Sequence, residues 1–253
     1  MLLAANAGNT HIAVGVFVDA ELVAHWRLSS RTHRTSDEFY LALRDLLSDH
    51  EFQIDSSVMC SVVPQLTEAV GGGLTTLTQK APLRVSAEIR LPVALDIEDP
   101  SEIGGDLIAN AAGGYTSAGG SCVVVDFGTA LSFTAVDESG RVAGVAIAPG
   151  IDSGVDGLVS NTAALPMVDL AWPDSYLGRN THASLRAGIL YGYAGLVDRV
   201  ACGMADEMRS NPIVMATGGH APLMAPHCCC VQRTEPWLTL EGLRAIAELN
   251  QST

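Results

Sequence analysis

Two short polar turns carry the residue types that can hold a polyphosphate. They are Gly8-Asn9-Thr10, after the apolar run Leu2 to Ala5, and Asp126-Phe127-Gly128-Thr129, after Ser121 to Val125. A glycine turn between strands leaves backbone N–H groups open to an anion, and a neighbouring Asn or Thr adds side-chain donors, so phosphate oxygens can be held without lysine. Taken singly, each turn is also what a hairpin uses for its conformation. Their repetition gives them weight. Aligning Asn6-Ala7-Gly8-Asn9-Thr10 on the second turn also places Asp19 and Asp137 in equivalent turns after the next strand. The pattern reads as an internal duplication whose two turns face each other as a phosphate clamp.

A third group is Ile103-Gly104-Gly105-Asp106, followed by Leu107, Ile108 and Asn110. It sets a carboxylate at a glycine-rich helix start, where Asp106 reads either as a general base or as an ordinary first-turn acid favoured by the helix dipole. Val214 to Thr217 runs into Gly218-Gly219, a bare turn that can admit a flat nucleobase or simply end a strand. Other phosphate chemistries lack their parts. Lys80 is the sole lysine and lies outside any P-loop or protein-kinase context, and neither G-x-S-x-G nor the dinucleotide fingerprint after strand one is present.

The elements that position these groups alternate as in an α/β protein. Strands are expected at Leu2 to Ala5, His11 to Val18, Leu22 to Leu28 and Val58 to Val63, then at Ser121 to Val125, Leu131 to Val136 and Arg141 to Ile147. Thr35 and Glu38 have capping-box spacing, with Phe39, Leu43, Leu46 and Leu47 on one helix face. A weaker helix after Pro64, running to Lys80, is expected to be interrupted at Gly71, Gly72 and Gly73. The chain thus divides into 1–117 and 118–253, with a hinge near Gly113 to Gly120 and a cleft between the halves.

The totals narrow the partners. A formal charge of −14, from 14 Lys+Arg against 28 Asp+Glu, repels nucleic acid and anionic lipid, so a polyanionic ligand needs local donors and a metal ion. No apolar run approaches a membrane span and no basic-flanked signal opens the chain, which points to the cytoplasm. Six cysteines without pairing rhythm fit a reducing compartment. Cys228-Cys229-Cys230, His220 and His227 read as packing or loop residues rather than metal ligands, because adjacent side chains point apart.

Taken in order, the motifs resemble those of the type III pantothenate kinases. The matching segments are Gly8-Asn9-Thr10, Ser61-Val62-Val63-Pro64, Gly104 to Asp106, Val125 to Thr129 and Ile147-Ala148-Pro149-Gly150. They continue with Thr162-Ala163, Leu165-Pro166, Gly178-Arg179-Asn180-Thr181, Gly188 to Asp198 and Ala216 to Gly219. The resemblance implies two duplicated actin-like ATPase domains of the ribonuclease H-like kind, and transfer of the ATP γ-phosphoryl group to the primary hydroxyl of pantothenate, the first step of coenzyme A synthesis. It further implies that Asn6, Ala7, Gly8, Asn9, Thr10, His11, Ile12, Ala13 and Thr129 meet ATP with Mg2+, and that Asp126 holds a monovalent cation, K+ or NH4+. Asp106 would accept the hydroxyl proton. Ile97, Gly104, Gly105 and Leu107 would line the pantothenate site together with Thr181, which would reach it across a homodimer interface.

The sequence also departs from the family pattern. Asn6 stands where aspartate is usual, and an amide is a neutral, poorer partner for hydrated magnesium. Leu107 replaces an arginine and so removes a cationic donor. Ile97 takes the place of a tyrosine, while Asn161 and Ala164 stand where basic residues are common. Three readings stay open at this level: a working kinase, a weakened homologue that binds nucleotide or a pantothenate-like ligand in regulation, and a kinase for another hydroxylated acceptor.

Overall fold

In the computed structural model, which describes residues 1–30 and 33–251, the contacts divide the chain into two units. The first comprises 1–117 with 238–253, and the second 118–237. Residues 238–251 lie with the first unit. Their helix buries Leu238, Leu240, Leu243, Ile246 and Ala247, and Gly242 comes so close to Ala109 that a Cβ there would overlap its carbonyl oxygen. Sequence order gives no sign of that return.

The first unit opens with β1 (Leu2–Ala7), β2 (His11–Val18) and β3 (Glu21–Ser29), followed by β4 (Ser56–Ser61) and β5 (Leu83–Arg84). Their spatial order is β3-β2-β1-β4-β5. β1 is apolar on both faces and sits between an antiparallel and a parallel neighbour, whereas β3 alternates exposed and half-buried residues at the edge. Thr35 and Glu38 form the expected capping box at the start of α1 (Ser36–Leu47), whose Phe39 and Leu43 enter the core.

The interruption expected at Gly71 to Gly73 does not occur: α2 (Pro64–Thr78) is continuous. The glycines let another helix come close. A Cβ on Gly73 would stand 2.8 Å from the Phe39 ring and 3.0 Å from the backbone of Ser36 and Tyr40, and one on Gly72 would strike Ser36. Packing of α1 on α2 outweighs the propensity penalty of about 1 kcal/mol per glycine. The unit is completed by β6 (Ala94–Leu95), α3 (Gly105–Ala118) and the C-terminal α7 (Leu238–Gln251).

The second unit repeats the plan. It contains β7 (Cys122–Phe127), β8 (Ala130–Val136), β9 (Arg141–Pro149), α4 (Ile151–Ser160), α5 (Thr181–Met208), β10 (Ile213–Thr217), α6 (Ala221–Met224) and β11 (Arg233–Thr234). Its strands lie in the order β9-β8-β7-β10-β11, the topology of β3-β2-β1-β4-β5. Even a local irregularity recurs: the β2–β3 register slips after Val16 and the β8–β9 register after Ala135, each adding a residue on the outer strand. In this correspondence Asn6 matches Asp126, Gly8 matches Gly128 and Cys60 matches Thr217, since Asn6 pairs with Cys60 and Asp126 with Thr217 in the parallel ladders.

Candidate active site

β1 and β4 end side by side, and α3 begins over them. This brings together Asn6, Cys60 and Asp106. The Cys60 thiol donates to Asn6 Oδ1 at 3.2 Å. A Cβ on Gly105 would lie 2.9 Å from Cys60 Cβ, so the helix start can settle here only on a glycine. Gly104 has the same constraint from the other side, since its Cβ would lie 2.5 Å from Asp106 Oδ1. The two glycines thus make room for a carboxylate that takes the Leu107 N–H at 2.8 Å.

Burial pushes the Asp106 carboxyl above its usual value, opposed by the N–H groups of Leu107 and of Asp106 itself. Burial, with the Asp106 charge nearby, raises the Cys60 thiol well above its usual value, so it stays protonated. Asp106 is therefore a half-desolvated carboxylate with greater affinity for a proton than one in water, which suits a general base.

The first expected phosphate turn is tightly held. Gly8 N–H donates to His11 O at 3.0 Å, the Ser30 hydroxyl to Gly8 O at 2.6 Å, and Ser30 N–H to Thr10 O at 3.0 Å. Asn9, Thr10 and His11 are exposed, whereas Ala7 and Ile12 are buried and Ala13 half-buried. Of the segment 6–13, then, Asn6, Asn9, Thr10 and His11 can offer polar side chains, while Ala7, Gly8, Ile12 and Ala13 have none, and the Gly8 N–H expected to stay open to an anion is spent on His11 O.

The second unit's turn is built in the same way. Gly128 N–H donates to Ala130 O at 3.1 Å, and the Thr129 carbonyl accepts from Gly150 N–H at 3.1 Å and the Ser153 hydroxyl at 2.9 Å. Gly218, with φ +91°, passes close to Asp126: a Cβ there would press on Asp126 Oδ1 and lie 2.7 Å from Phe127 O. Beyond it, His220 N–H donates to Phe127 O at 3.3 Å and His220 Nε2 meets Asp152 Oδ2 at 2.8 Å. His220 is thus a bridge between α4 and the Gly218 turn rather than a loose loop residue.

The remaining expected site residues are placed less intimately. Ile97 and Leu107 are half-buried in the first unit, and neither supplies a polar group. Thr181 is exposed at the first position of α5, where Asn180 caps the helix by accepting from Ala183 N–H at 2.9 Å. Sequence reasoning missed Cys60, Ser30 and the His220–Asp152 pair. Only Cys60 left a signal, as the one thiol in an apolar strand that leads into Ser61-Val62-Val63-Pro64.

A duplicated α/β fold with matching hairpin turns and a carboxylate at a glycine-shaped helix start defines the actin-like ATPase and sugar-kinase class. Solved structures agree on the fold. The inorganic polyphosphate/ATP-glucomannokinase from Arthrobacter sp. strain KM matches with a TM-score of 0.53 at 15% identity, over 100% of this chain and 99% of that one. The activator of the 2-hydroxyisocaproyl-CoA dehydratase from Clostridium difficile, with bound ADPNP, gives 0.58 at 13% identity, over 99% and 96%. The type III pantothenate kinase family model matches residues 2–202. The chain is 42% identical to the type III pantothenate kinase of Moorella thermoacetica, over 99% of this chain and all of the relative, and 40% identical to that of Acidothermus cellulolyticus, over 99% of both. The chain belongs to the type III pantothenate kinase family.

Proposed function

We propose that this chain phosphorylates the primary hydroxyl of pantothenate with ATP, and that Asp106 accepts the hydroxyl proton. The observation that carries this reading is the Asp106 carboxylate, shaped by Gly104 and Gly105 and raised by burial, at the start of α3. Phosphoryl transfer needs mainly positioning and charge stabilisation. The donors assigned to the phosphates are the side chains of Asn6, Asn9 and Thr10 in the first unit, with Thr129 in the second; the Gly8 N–H is already given to His11 O, so Gly8 shapes the turn rather than donating from it. Ile97, Gly104, Gly105 and Leu107 are assigned to pantothenate, with Thr181 of a second copy.

The oxygen donors around Asp126 fit a K+ ion: a carboxylate beside the backbone oxygens of a turn, the hard ligands such a cation takes. Mg2+ would enter as a companion of the phosphates, keeping most of its waters as this ion does at nucleotide sites. When bound, these ions supply neutralisation of the phosphate charge. Pairing of two copies is supported by an exposed apolar surface on the α4–α5 connection, at Met167, Tyr176 and Leu177. A cytoplasmic setting is supported by six free cysteines.

A second reading, a nucleotide-binding homologue with weak turnover, is favoured by the Asn6 amide and the Leu107 hydrocarbon. Loss of one electrostatic stabiliser costs roughly 10²–10³ in rate. The deciding assay measures phosphoryl transfer with ATP, Mg2+, K+ and pantothenate for the native chain, Asn6→Asp and Asn6→Asp/Leu107→Arg. Turnover by the native chain upholds the kinase and sinks the silent homologue. Turnover only in the variants upholds the silent homologue and sinks the kinase.

A further inference from the structure

Asn6 lies at the C-terminal end of β1, half-buried, immediately before the Ala7–Gly8 turn. Its amide has two chemically opposite halves, and the structure assigns them. Oδ1 takes the Cys60 S–H at 3.2 Å, while Nδ2 has no hydrogen-bond partner among the described residues. The pairing is fixed by the fold, because Asn6 and Cys60 are direct partners in the parallel β1–β4 ladder. Cys60 is 2% exposed and held under Gly105, so its sulfur has no other place to go. A protonated thiol has a proton to give, and of the amide's two ends only Oδ1 readily takes it. The N–H2 end is left turned away from the sulfur.

We infer that Cys60 positions Asn6 as a direct hydrogen-bond donor to a phosphoryl oxygen of the nucleotide. This deepens the nucleotide-binding reading above and rests on it. An aspartate at this place can only accept, so it can reach a phosphate only through a metal ion or its bound water. An amide donor meets the oxyanion itself. It also removes a negative charge near Asp106, so a polyphosphate meets one carboxylate fewer than with aspartate at position 6. In this chain nucleotide binding should therefore depend less on Mg2+ than it does with a carboxylate at position 6.

The test is calorimetric binding of ADP and of a non-hydrolysable ATP analogue, in EDTA and in Mg2+, without reference to turnover. The native chain is expected to bind in EDTA. Asn6→Asp is expected to lose about tenfold in EDTA, equivalent to about 1.4 kcal/mol, and to recover most of it with Mg2+. Cys60→Ala frees the amide to rotate and is expected to weaken metal-free binding by a few-fold, and Cys60→Ser, whose hydroxyl can also donate, to restore it. A merely structural role for Cys60 would lower Tm but leave the EDTA-to-Mg2+ affinity ratio at the native value, and that outcome overturns the positioning role. Native binding only in Mg2+, or unchanged EDTA affinity in Asn6→Asp, overturns the donor role while leaving the nucleotide reading intact. No binding under either condition sinks both.

Discussion

The Cys60 thiol and the Asn6 amide, 54 residues apart, meet through a 3.2 Å hydrogen bond at the ends of adjacent parallel strands. The sulfur is enclosed by β1, β4 and the start of α3, and burial together with Asp106 raises its pKa strongly. Thiol chemistry runs through the thiolate, so this cysteine is inert in the folded chain. Cys122 and Cys228 are each pushed up to about 12, by burial first, and Cys230 is raised by burial and by Asp198. Cys202 and Cys229 are exposed. Alkylation of the native protein at pH 7, read by peptide mass spectrometry, is expected to label Cys202 and Cys229 quickly and the other four only on unfolding. Rapid labelling of Cys60 in the folded chain would contradict that enclosure.

Asp106 links site and stability. Its carboxyl holds a proton to higher pH in the folded chain than the ordinary 3.8, chiefly because of burial. Between those two values the folded state binds more protons than the unfolded one, so stability falls as pH rises through this window, and the full cost persists above it. Asp106→Asn keeps an acceptor for the Leu107 N–H and carries no charge. The variant is expected to abolish turnover yet melt higher than the native chain at pH 7, with the difference closing as pH drops towards 3.8. Equal melting temperatures at pH 7 would show that the carboxylate is not desolvated.

Much of this was legible in the sequence where local signals agree. The β1–β2–β3 start and its repeat at β7–β8–β9 are written in apolar runs separated by glycine turns, and α1 in its capping box. Gly71-Gly72-Gly73 misled because propensity describes an isolated helix, whereas Gly72 and Gly73 answer to Ser36 and Phe39 on another helix and Gly71 to the Arg84 side chain. The return of α7 to the first unit and the Asn6–Cys60 pairing were invisible for a related reason. Both are contacts between distant segments, and a buried Cys in an apolar strand looks the same whether it packs or positions a neighbour.

Two helix glycines, Gly157 in α4 and Gly73 in α2, give a signed comparison. Gly→Ala in a helix interior is worth up to about 1 kcal/mol in propensity. At Gly157 in α4 a Cβ meets nothing within 4 Å, so Gly157→Ala is expected to stabilise by that order. At Gly73 the Cβ would press on the Phe39 ring at 2.8 Å and on two backbone atoms at 3.0 Å. Overpacking of this kind costs about 1–3 kcal/mol, which exceeds the propensity gain. Urea unfolding should show opposite signs for the two variants. A stabilised Gly73→Ala would mean that α1 and α2 pack less closely than these distances require.

Gly218 and Gly219 offer the corresponding contrast beside Asp126. Gly218 needs its positive φ of 91°, and its missing Cβ leaves room for Asp126 Oδ1 and for Phe127 O, which a Cβ would approach to 2.7 Å. Alanine there meets two penalties: a left-handed backbone, about 1–2 kcal/mol, and a clash that must push the carboxylate or the turn aside, about 1–3 kcal/mol more. At Gly219 neither applies, since the φ is ordinary and nothing lies within 4 Å of a Cβ. Gly219→Ala is expected to stay within about 0.5 kcal/mol of the native chain. Because the clash at Gly218 falls on Asp126 itself, a K+-dependent rise in melting temperature is expected with nucleotide in the native chain and in Gly219→Ala, and a smaller one in Gly218→Ala. If Gly218→Ala lowers stability but leaves any K+ response at its native size, Asp126 is not its site.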